Sequence, residues 1–195
     1  MAKAHEVNGS FGFPKDLKLP NGRMVVVRLM ETGDAAGILA FARSLPPNDL
    51  LFLRTDITEA GNVDEWIANV EKGDTATVIA EADGKIVGYA SVHSDQARWT
   101  RRVGEIRVQV GPSFRGAGLG RHLAAEIFRL GQMRGLKKMA AMMTPDQAGA
   151  RAAFEKLGFQ VEALLQDWVI DRDGRPRDLI IMSHDLEGLS DQINA

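Results

Sequence analysis

The 195-residue sequence predicts an α+β fold with one central mixed β-sheet, and three patterns lead to this prediction. In the first half, two short apolar segments flank Asp83-Gly84, a pair favoured in two-residue hairpin turns, which predicts antiparallel strands. Residues 104–110 alternate strictly, with Ile106, Val108 and Val110 on one face, which predicts a half-buried strand. An amphipathic helix and another apolar segment follow, and this order predicts a strand–helix–strand crossover in the same sheet.

The other elements are predicted from apolar runs and from the residues that begin and end them. Asp34 and Asp146 are each expected to cap a helix. The predicted strands cover 24–29, 77–82, 85–92, 138–143, 168–171 and 178–182, with a further strand starting at Phe159, and the predicted helices cover 34–45, 63–71, 119–135 and 146–156.

The domain organisation is predicted to be simple. Residues 1–22 show little periodicity and are expected to form a loosely draped N-terminal extension. One domain is expected over 23–187, and a short tail over 188–195.

Composition limits the kinds of function. A formal net charge of −2 gives no basic surface for nucleic acid or anionic lipid, so any anion site has to be local. The absence of cysteine excludes disulfides, thiolate nucleophiles and zinc–thiolate sites, and with four scattered histidines no metal site is expected. Without a secretory signal or an apolar run near the roughly 18 residues of a spanning helix, the sequence predicts a cytoplasmic protein with no membrane or nucleic-acid partner.

The loop between Val110 and the long helix carries the chemistry. In the run Arg115-Gly116-Ala117-Gly118-Leu119-Gly120-Arg121, three alternate glycines leave the backbone amides unobstructed. Amides at a helix N-terminus point outward with the positive end of the helix dipole behind them, so a diphosphate can bind there. Arg115 and Arg121 would add side-chain charge. The alternative is a structural turn that only lets the helix pack close to its strand.

Two known nucleotide-binding motifs do not fit this loop. The dinucleotide fingerprint requires glycines at relative positions one, three and six, and counting from Gly116 the sixth position is Arg121. The phosphate loop of nucleoside triphosphatases requires lysine after its second glycine, whereas Gly116 is followed by Ala117.

The pattern that does fit is Arg-x-x-Gly-x-Gly directly after a strand, and in this the sequence resembles the GNAT superfamily of N-acetyltransferases. The resemblance covers roughly 23–186 and extends to the order of the elements. It implies a single GNAT-like domain with helices on both faces of the sheet, in which splayed strands hold acetyl-coenzyme A as acyl donor. The cofactor-binding residues that it implies are Val108, Gln109, Val110, Arg115, Gly116, Ala117, Gly118, Leu119, Gly120, Arg121, Gln147 and Phe154.

A second block of the family, Asn-x-x-Ala followed by Tyr and Glu-Lys-Leu-Gly-Phe, is matched at 147–159 with two departures. Gln147 stands where Asn commonly touches the pantetheine arm, and Phe154 stands where Tyr often protonates the departing thiolate. The resemblance therefore implies coenzyme binding here but not this general acid, and the thiolate would be protonated by water.

Glu105 is the candidate catalytic base. A lysine-type amine has a reference pKa of about 10.4, so attack near neutral pH requires a base or a water relay. Glu105 matches the catalytic glutamate of the bacterial protein lysine acetyltransferases, whose motif block is similar, and the backbone of Val108–Val110 is implied to polarise the thioester carbonyl. The alternative is a solvated carboxylate on the sheet face, paired with Arg107 or Arg101.

The residues and the resemblance together predict an N-acetyltransferase. It would move an acetyl or related short acyl group from acetyl-coenzyme A to a primary amine of a small molecule or a protein lysine by direct attack. One alternative is a non-catalytic domain that binds or senses coenzyme A, and another is an unrelated binding protein whose glycine loop is structural. The acceptor is expected to be set by residues 48–70 and 165–178, which carry no recognisable specificity signature, and a homodimer is expected only on base rates.

Overall fold

The computed structural model describes residues 12–50, 53, 55–95, 99–171 and 173–186. Its strands are β1 (Lys15–Lys18), β2 (Met24–Leu29), β3 (Thr75–Ala82), β4 (Lys85–His93), β5 (Val103–Val110), β6 (Lys138–Met143), β7 (Gln160–Ile170) and β8 (Pro176–Asp185). Its helices are α1 (Ala35–Ser44), α2 (Pro47–Leu50), α3 (Ala60–Lys72), α4 (Leu119–Met133) and α5 (Ala148–Lys156). Short 3-10 turns cover Thr32–Asp34 and Pro112–Phe114.

The strands are hydrogen-bonded in the order β1-β2-β3-β4-β5-β6-β8-β7. The pairs β1–β2, β2–β3, β6–β8 and β7–β8 are antiparallel, whereas β5 and β6 are parallel. The predicted α+β class with a mixed sheet is therefore confirmed.

The chain divides into two compact units. The first comprises the chain up to Ser91 together with Val108–Ile127, and its core is formed by apolar side chains of α1, α3, β3 and β4. Tyr89 belongs to this core, and its ring is edge-on to Trp66 at 4.8 Å and to Phe41 at 6.1 Å between centroids. The members of the cluster are Met30, Ile38, Phe41, Ala42, Leu45, Leu50, Ile57, Val63, Trp66, Ile67, Ile79 and Tyr89.

The second unit comprises Val92–Arg107 and the chain from Phe128 onward. Its parallel pairing joins the starts of β5 and β6, from Val103↔Lys138 to Glu105↔Ala140. The parallel register ends at Glu105, so it does not include Ile106 and Arg107, the next residues of the same unit. On its other side, β6 pairs with β8 over its whole length, from Lys138↔Asp185 to Met143↔Ile180.

The prediction of a loose N-terminal arm is wrong for residues 13–19. Lys15–Lys18 form β1, which pairs with β2, and Lys15 Nζ bonds Glu126 at 2.7 Å. Phe13 and Leu19 flank the strand and are 5% and 2% exposed. The strand was missed because four residues with only one apolar side chain, Leu17, give almost no periodic signal.

Both predicted aspartate caps bind elsewhere. Asp34 makes no cap bond to α1; its carboxylate accepts two hydrogen bonds from Arg28, at 2.7 and 2.8 Å, and one from the Glu31 amide at 2.7 Å. Asp146 precedes the N-cap position of α5, which is Gln147, and pairs with Arg177 at 2.9 Å. In both cases a charged partner outweighs the local helix end.

The two hairpins differ in how well they were predicted. The turn at Asp83-Gly84 has φ values of 50° and 70°, as a primed two-residue turn requires. The terminal hairpin is longer than predicted, because the segments expected at Phe159 and 168–171 are one strand, β7. Its register with β8 shifts twice, which obscures the alternation in the sequence.

Candidate active site

The glycine loop lies in the first unit, between the end of β5 and the start of α4. Gly116 and Gly118 adopt left-handed φ values of 72° and 82°, which favour glycine. Among the described residues, no heavy atom lies within 4 Å of a Cβ built on either glycine. Buried Ala117 and Leu119 alternate with them and are 7% and 0% exposed. The loop is thus fixed by its apolar side chains and open at its glycines.

The backbone amides of this loop are available to an anion. Within the part of the chain that the structure describes, the N–H groups of Gly116, Ala117 and Gly118 have no protein acceptor. The Gly118 carbonyl accepts from the amides of Arg121 and His122, at 3.1 and 3.3 Å, and so begins α4. The loop amides therefore lead into the N-terminus of a 15-residue helix, where the helix dipole adds positive potential.

Gly120 has the structural role that the alternative reading proposed. A Cβ at this position would lie 3.4 Å from Val110 Cγ2 and 3.8 Å from Val108 Cγ1, so the helix packs close to its strand. The two readings of the loop apply to different glycines. Gly120 allows packing, whereas Gly116 and Gly118 provide the open backbone.

The two arginines of the loop are placed differently. Arg115 Nε donates to the Val110 carbonyl at 3.0 Å, and its Nη2 forms an ion pair with Asp49 of α2. Arg121 is exposed on the first turn of α4, and no ion-pair partner is seen for it among the described residues. Arg23 also supports the loop, since its guanidinium stacks on Phe114 at 3.5 Å.

Sequence reasoning missed the supporting residues Asp49 and Arg23. Arg23 Nη1 donates to the Ser113 carbonyl at 2.8 Å, across 90 residues of sequence. Asp49 is 66 residues from Arg115. No local motif in the sequence indicates contacts over such separations.

Glu105 lies on β5 in the second unit, as an ion-paired carboxylate. Arg107 Nη2 donates to Glu105 Oε1 from the same face of the strand. The Glu105 and Arg107 side chains are 22% and 14% exposed. The pairing that the alternative expected is present, but these side chains are more buried than those of a solvated surface pair.

Gln147 and Phe154 both serve the packing of the second unit. Gln147 Oε1 accepts from the Thr144 amide at 3.0 Å and so closes the turn before α5. The Phe154 ring is edge-on to Phe159 at 4.9 Å, and Phe159 is tilted against His184 at 5.7 Å. Phe154 has no proton to give, so this aromatic cluster supplies no general acid.

Asp146 is held in its charged form at the same turn. A hydrogen bond from Thr144, together with the Arg177 guanidinium 2.9 Å away, keeps the pKa of this carboxyl below its ordinary value. Arg177 also contacts Asp171 at 3.5 Å. These charges stabilise the turn through ion pairs at the surface.

The structure groups the predicted residues into two sets. Val108–Val110 and Arg115–Arg121 lie in the first unit, and Glu105, Gln147 and Phe154 lie in the second. Over the described ranges, no cluster of three or more His, Asp or Glu could hold a metal ion. In the same ranges, no helix is long and apolar enough to cross a membrane.

Comparison with known proteins identifies the family. The model of the acetyltransferase (GNAT) family matches residues 45–159, which is more than half of the chain. The Bacillus subtilis (strain 168) protein YwnH, to which phosphinothricin acetyltransferase activity is attributed, is 22% identical over 163 residues, 83% of this chain and 99% of its own length. Streptothricin acetyltransferase from Streptomyces lavendulae is 30% identical over 129 residues, 66% of this chain and 65% of its own length.

The fold comparison agrees. One similar structure is that of yncA from Salmonella typhimurium, which is assigned as an acetyltransferase and was solved with its cofactor acetyl-CoA. It superimposes with a TM-score of 0.73 at 23% identity, over 84% of this chain and 94% of yncA. This likeness confirms the predicted GNAT-like fold. The family match confirms the prediction of an acetyltransferase that uses an acyl-coenzyme A donor. The chain therefore belongs to the GNAT family of acetyltransferases.

Proposed function

We propose that this acetyltransferase moves an acetyl group from acetyl-coenzyme A to the primary amine of a small molecule. The observation that carries the proposal is the open backbone at Gly116 and Gly118 at the start of α4, where a diphosphate can bind. The relatives named for phosphinothricin and streptothricin acetylation support a small-molecule acceptor.

The loop binds the coenzyme and the strand supports the chemistry. The amides of Gly116, Ala117 and Gly118 bind the diphosphate, and exposed Arg121 adds charge. Upstream, the backbone of Val108–Val110 polarises the thioester carbonyl. One such donor to an oxyanion contributes about 2.7–4 kcal/mol to transition-state stabilisation in other enzymes.

The reaction is a direct acyl transfer. The amine nitrogen bonds the thioester carbonyl carbon, the carbon–sulfur bond then breaks, and the sulfur leaves with the electron pair. An ammonium acceptor first gives one proton to Glu105, directly or through water, and attacks as the free amine. A second proton leaves the nitrogen as the carbon–sulfur bond breaks, and water carries a proton to the thiolate. Arg107 holds the Glu105 carboxylate in place through their ion pair.

The departing sulfur needs little help from a protein acid. An alkyl thiol has a reference pKa of about 8.5, far below that of an amine, so its thiolate leaves readily and is protonated by water. The aromatic cluster at Phe154 is therefore compatible with turnover. The products are the acetylated amine and coenzyme A with a free thiol.

A protein lysine is the second candidate acceptor. It is favoured by Glu105, which matches the catalytic glutamate of bacterial protein lysine acetyltransferases. Direct attack and the same base would serve either acceptor, so the choice of acceptor depends on a comparison of substrates.

The test is free-thiol release from acetyl-coenzyme A, measured against a panel of small primary amines and lysine peptides, with reactions lacking acceptor as blanks. Release with small amines is expected. Release with lysine peptides alone would shift the assignment to the second candidate. Coenzyme binding without release for any amine would contradict the proposed transfer.

A further inference from the structure

We infer that Asp49 is a positioning residue for acetyl-coenzyme A. Its ion pair with Arg115 connects α2 to the glycine loop and fixes the Arg115 side chain. The inference rests on the proposed function and deepens it, since it gives the two arginines of the loop different roles. Arg121 is the cation available to the phosphates, and Arg115 shapes the loop.

Two donor groups of the Arg115 guanidinium, Nε and Nη2, each have an acceptor in the protein. Its Nε is 3.0 Å from the carbonyl of Val110, the last residue of β5, and its Nη2 is ion-paired with the Asp49 carboxylate. A planar guanidinium whose donors meet two fixed acceptors keeps one orientation. Arg115 is thereby folded back on the end of its own strand, and Asp49 compensates its charge.

Asp49 makes a second contact with the same region through its backbone. The Gln109 side-chain amide donates to the Asp49 carbonyl at 2.9 Å. Gln109 belongs to the strand segment that we assign to the thioester. The two contacts are separable, because a side-chain substitution at Asp49 removes the ion pair and leaves the carbonyl as acceptor.

The Asp49 and Arg115 side chains are 22% and 45% exposed, which permits a matched control. The Lys15–Glu126 ion pair lies in the same unit, and its side chains are 36% and 21% exposed. Loss of either pair removes a similar surface interaction. Only the Asp49 pair touches the glycine loop.

The experiment is calorimetric titration with acetyl-coenzyme A of the full chain and of the variants Asp49→Asn, Arg115→Gln, the double variant and Lys15→Gln. Asp49→Asn and Arg115→Gln are each expected to weaken binding by about two- to fivefold, the range for a partly exposed ion pair. The double variant should be no weaker than Arg115→Gln alone. Lys15→Gln should bind as the wild type does.

Two further readouts separate positioning from simple stability. Thermal unfolding identifies any variant whose folded fraction has fallen, and affinities are compared only between folded samples. Arg115→Lys keeps the charge but loses the planar fork, so it should behave like Arg115→Gln. If Arg115 instead bound phosphate as a point charge, the lysine variant would keep most of the affinity.

Wild-type or tighter affinity in Asp49→Asn, or additive losses in the double variant, would overturn the inference while the proposed function stands. Wild-type affinity in Arg115→Lys would overturn it as well. Absence of acetyl-coenzyme A binding by the wild-type protein would overturn the proposed function and this inference with it.

Discussion

The glycine loop and the second family block differ in how well each retains the features that its family role requires. The loop, Arg115–Arg121, has the open amides and the helix start that a diphosphate requires. The second block, residues 147–159, uses Gln147 to close a turn and Phe154 to pack against Phe159. In the proposed function, diphosphate binding requires the backbone geometry of the loop, whereas water can protonate the thiolate.

The largest effect is expected where the loop is blocked. Gly118→Asp places a carboxylate beside the diphosphate and forces an aspartate to φ 82°. Repulsion between unit charges about 4 Å apart is worth about 4 kcal/mol at a surface-like dielectric, so affinity should fall at least about 100-fold. Calorimetry with acetyl-coenzyme A measures the change.

The control for Gly118→Asp is Gly84→Asp in the β3–β4 turn. Gly84 has a φ of 70°, and again no described heavy atom lies within 4 Å of its Cβ position. The backbone cost is matched, so both variants should lose stability. Equal coenzyme affinity in the two variants would remove the loop from the site.

Glu105→Gln distinguishes chemistry from binding. Loss of the base should lower kcat about 100-fold or more while the affinity for acetyl-coenzyme A is kept. Glu162→Gln, which neutralises another ion-paired glutamate of the same unit, should turn over as the wild type does. Unchanged kcat in Glu105→Gln would make this carboxylate a structural partner of Arg107.

Phe154→Leu tests whether Phe154, in the second block, contributes to stability through packing and not to turnover. The edge contact with Phe159 is lost and the ring is only partly buried, so the free energy of unfolding should fall by about 1 kcal/mol. Turnover of the folded enzyme should stay within about twofold, since no acid is removed. Denaturant unfolding and thiol release measure the two quantities, and a large loss of kcat in a stable variant would contradict the comparison.

The smallest effect is the pH dependence at Asp146. Its pKa is lowered in the folded protein by Thr144 and Arg177, so its stabilisation is present above the ordinary value of 3.8 and is lost as the pH falls through the folded pKa. Because the pair is exposed, Asp146→Asn should cost less than about 1 kcal/mol at neutral pH. Unfolding curves of variant and wild type should converge in acid, and a constant difference down to pH 2 would contradict this origin.

Local signals in the sequence predicted what is local in the structure. The Asp83-Gly84 turn and the apolar stripe of α4 depend on residues close in sequence, and both are present. The alternation predicted for β5 is seen only as far as Ile106, because Arg107 to Val110 are all half-buried. The glycine loop could be predicted because its function depends on consecutive backbone atoms. The assignment of its residues to the cofactor stays a prediction until it is tested.

Contacts between distant segments could not be predicted. The Asp49–Arg115 pair joins residues 66 positions apart, and Asp34 binds Arg28 instead of capping α1. A carboxylate offers the same local sequence signal whether its partner is a helix amide or a guanidinium. Only the fold decides which partner is within reach.

The most direct test of the coenzyme loop is an NMR titration of the ¹⁵N-labelled protein with coenzyme A, followed through its backbone amides. The account predicts that the amides of Gly116, Ala117 and Gly118 shift most and saturate together, while Gly84 does not move. Saturating shifts elsewhere, with these three amides unchanged, would contradict the assignment of the diphosphate to this loop.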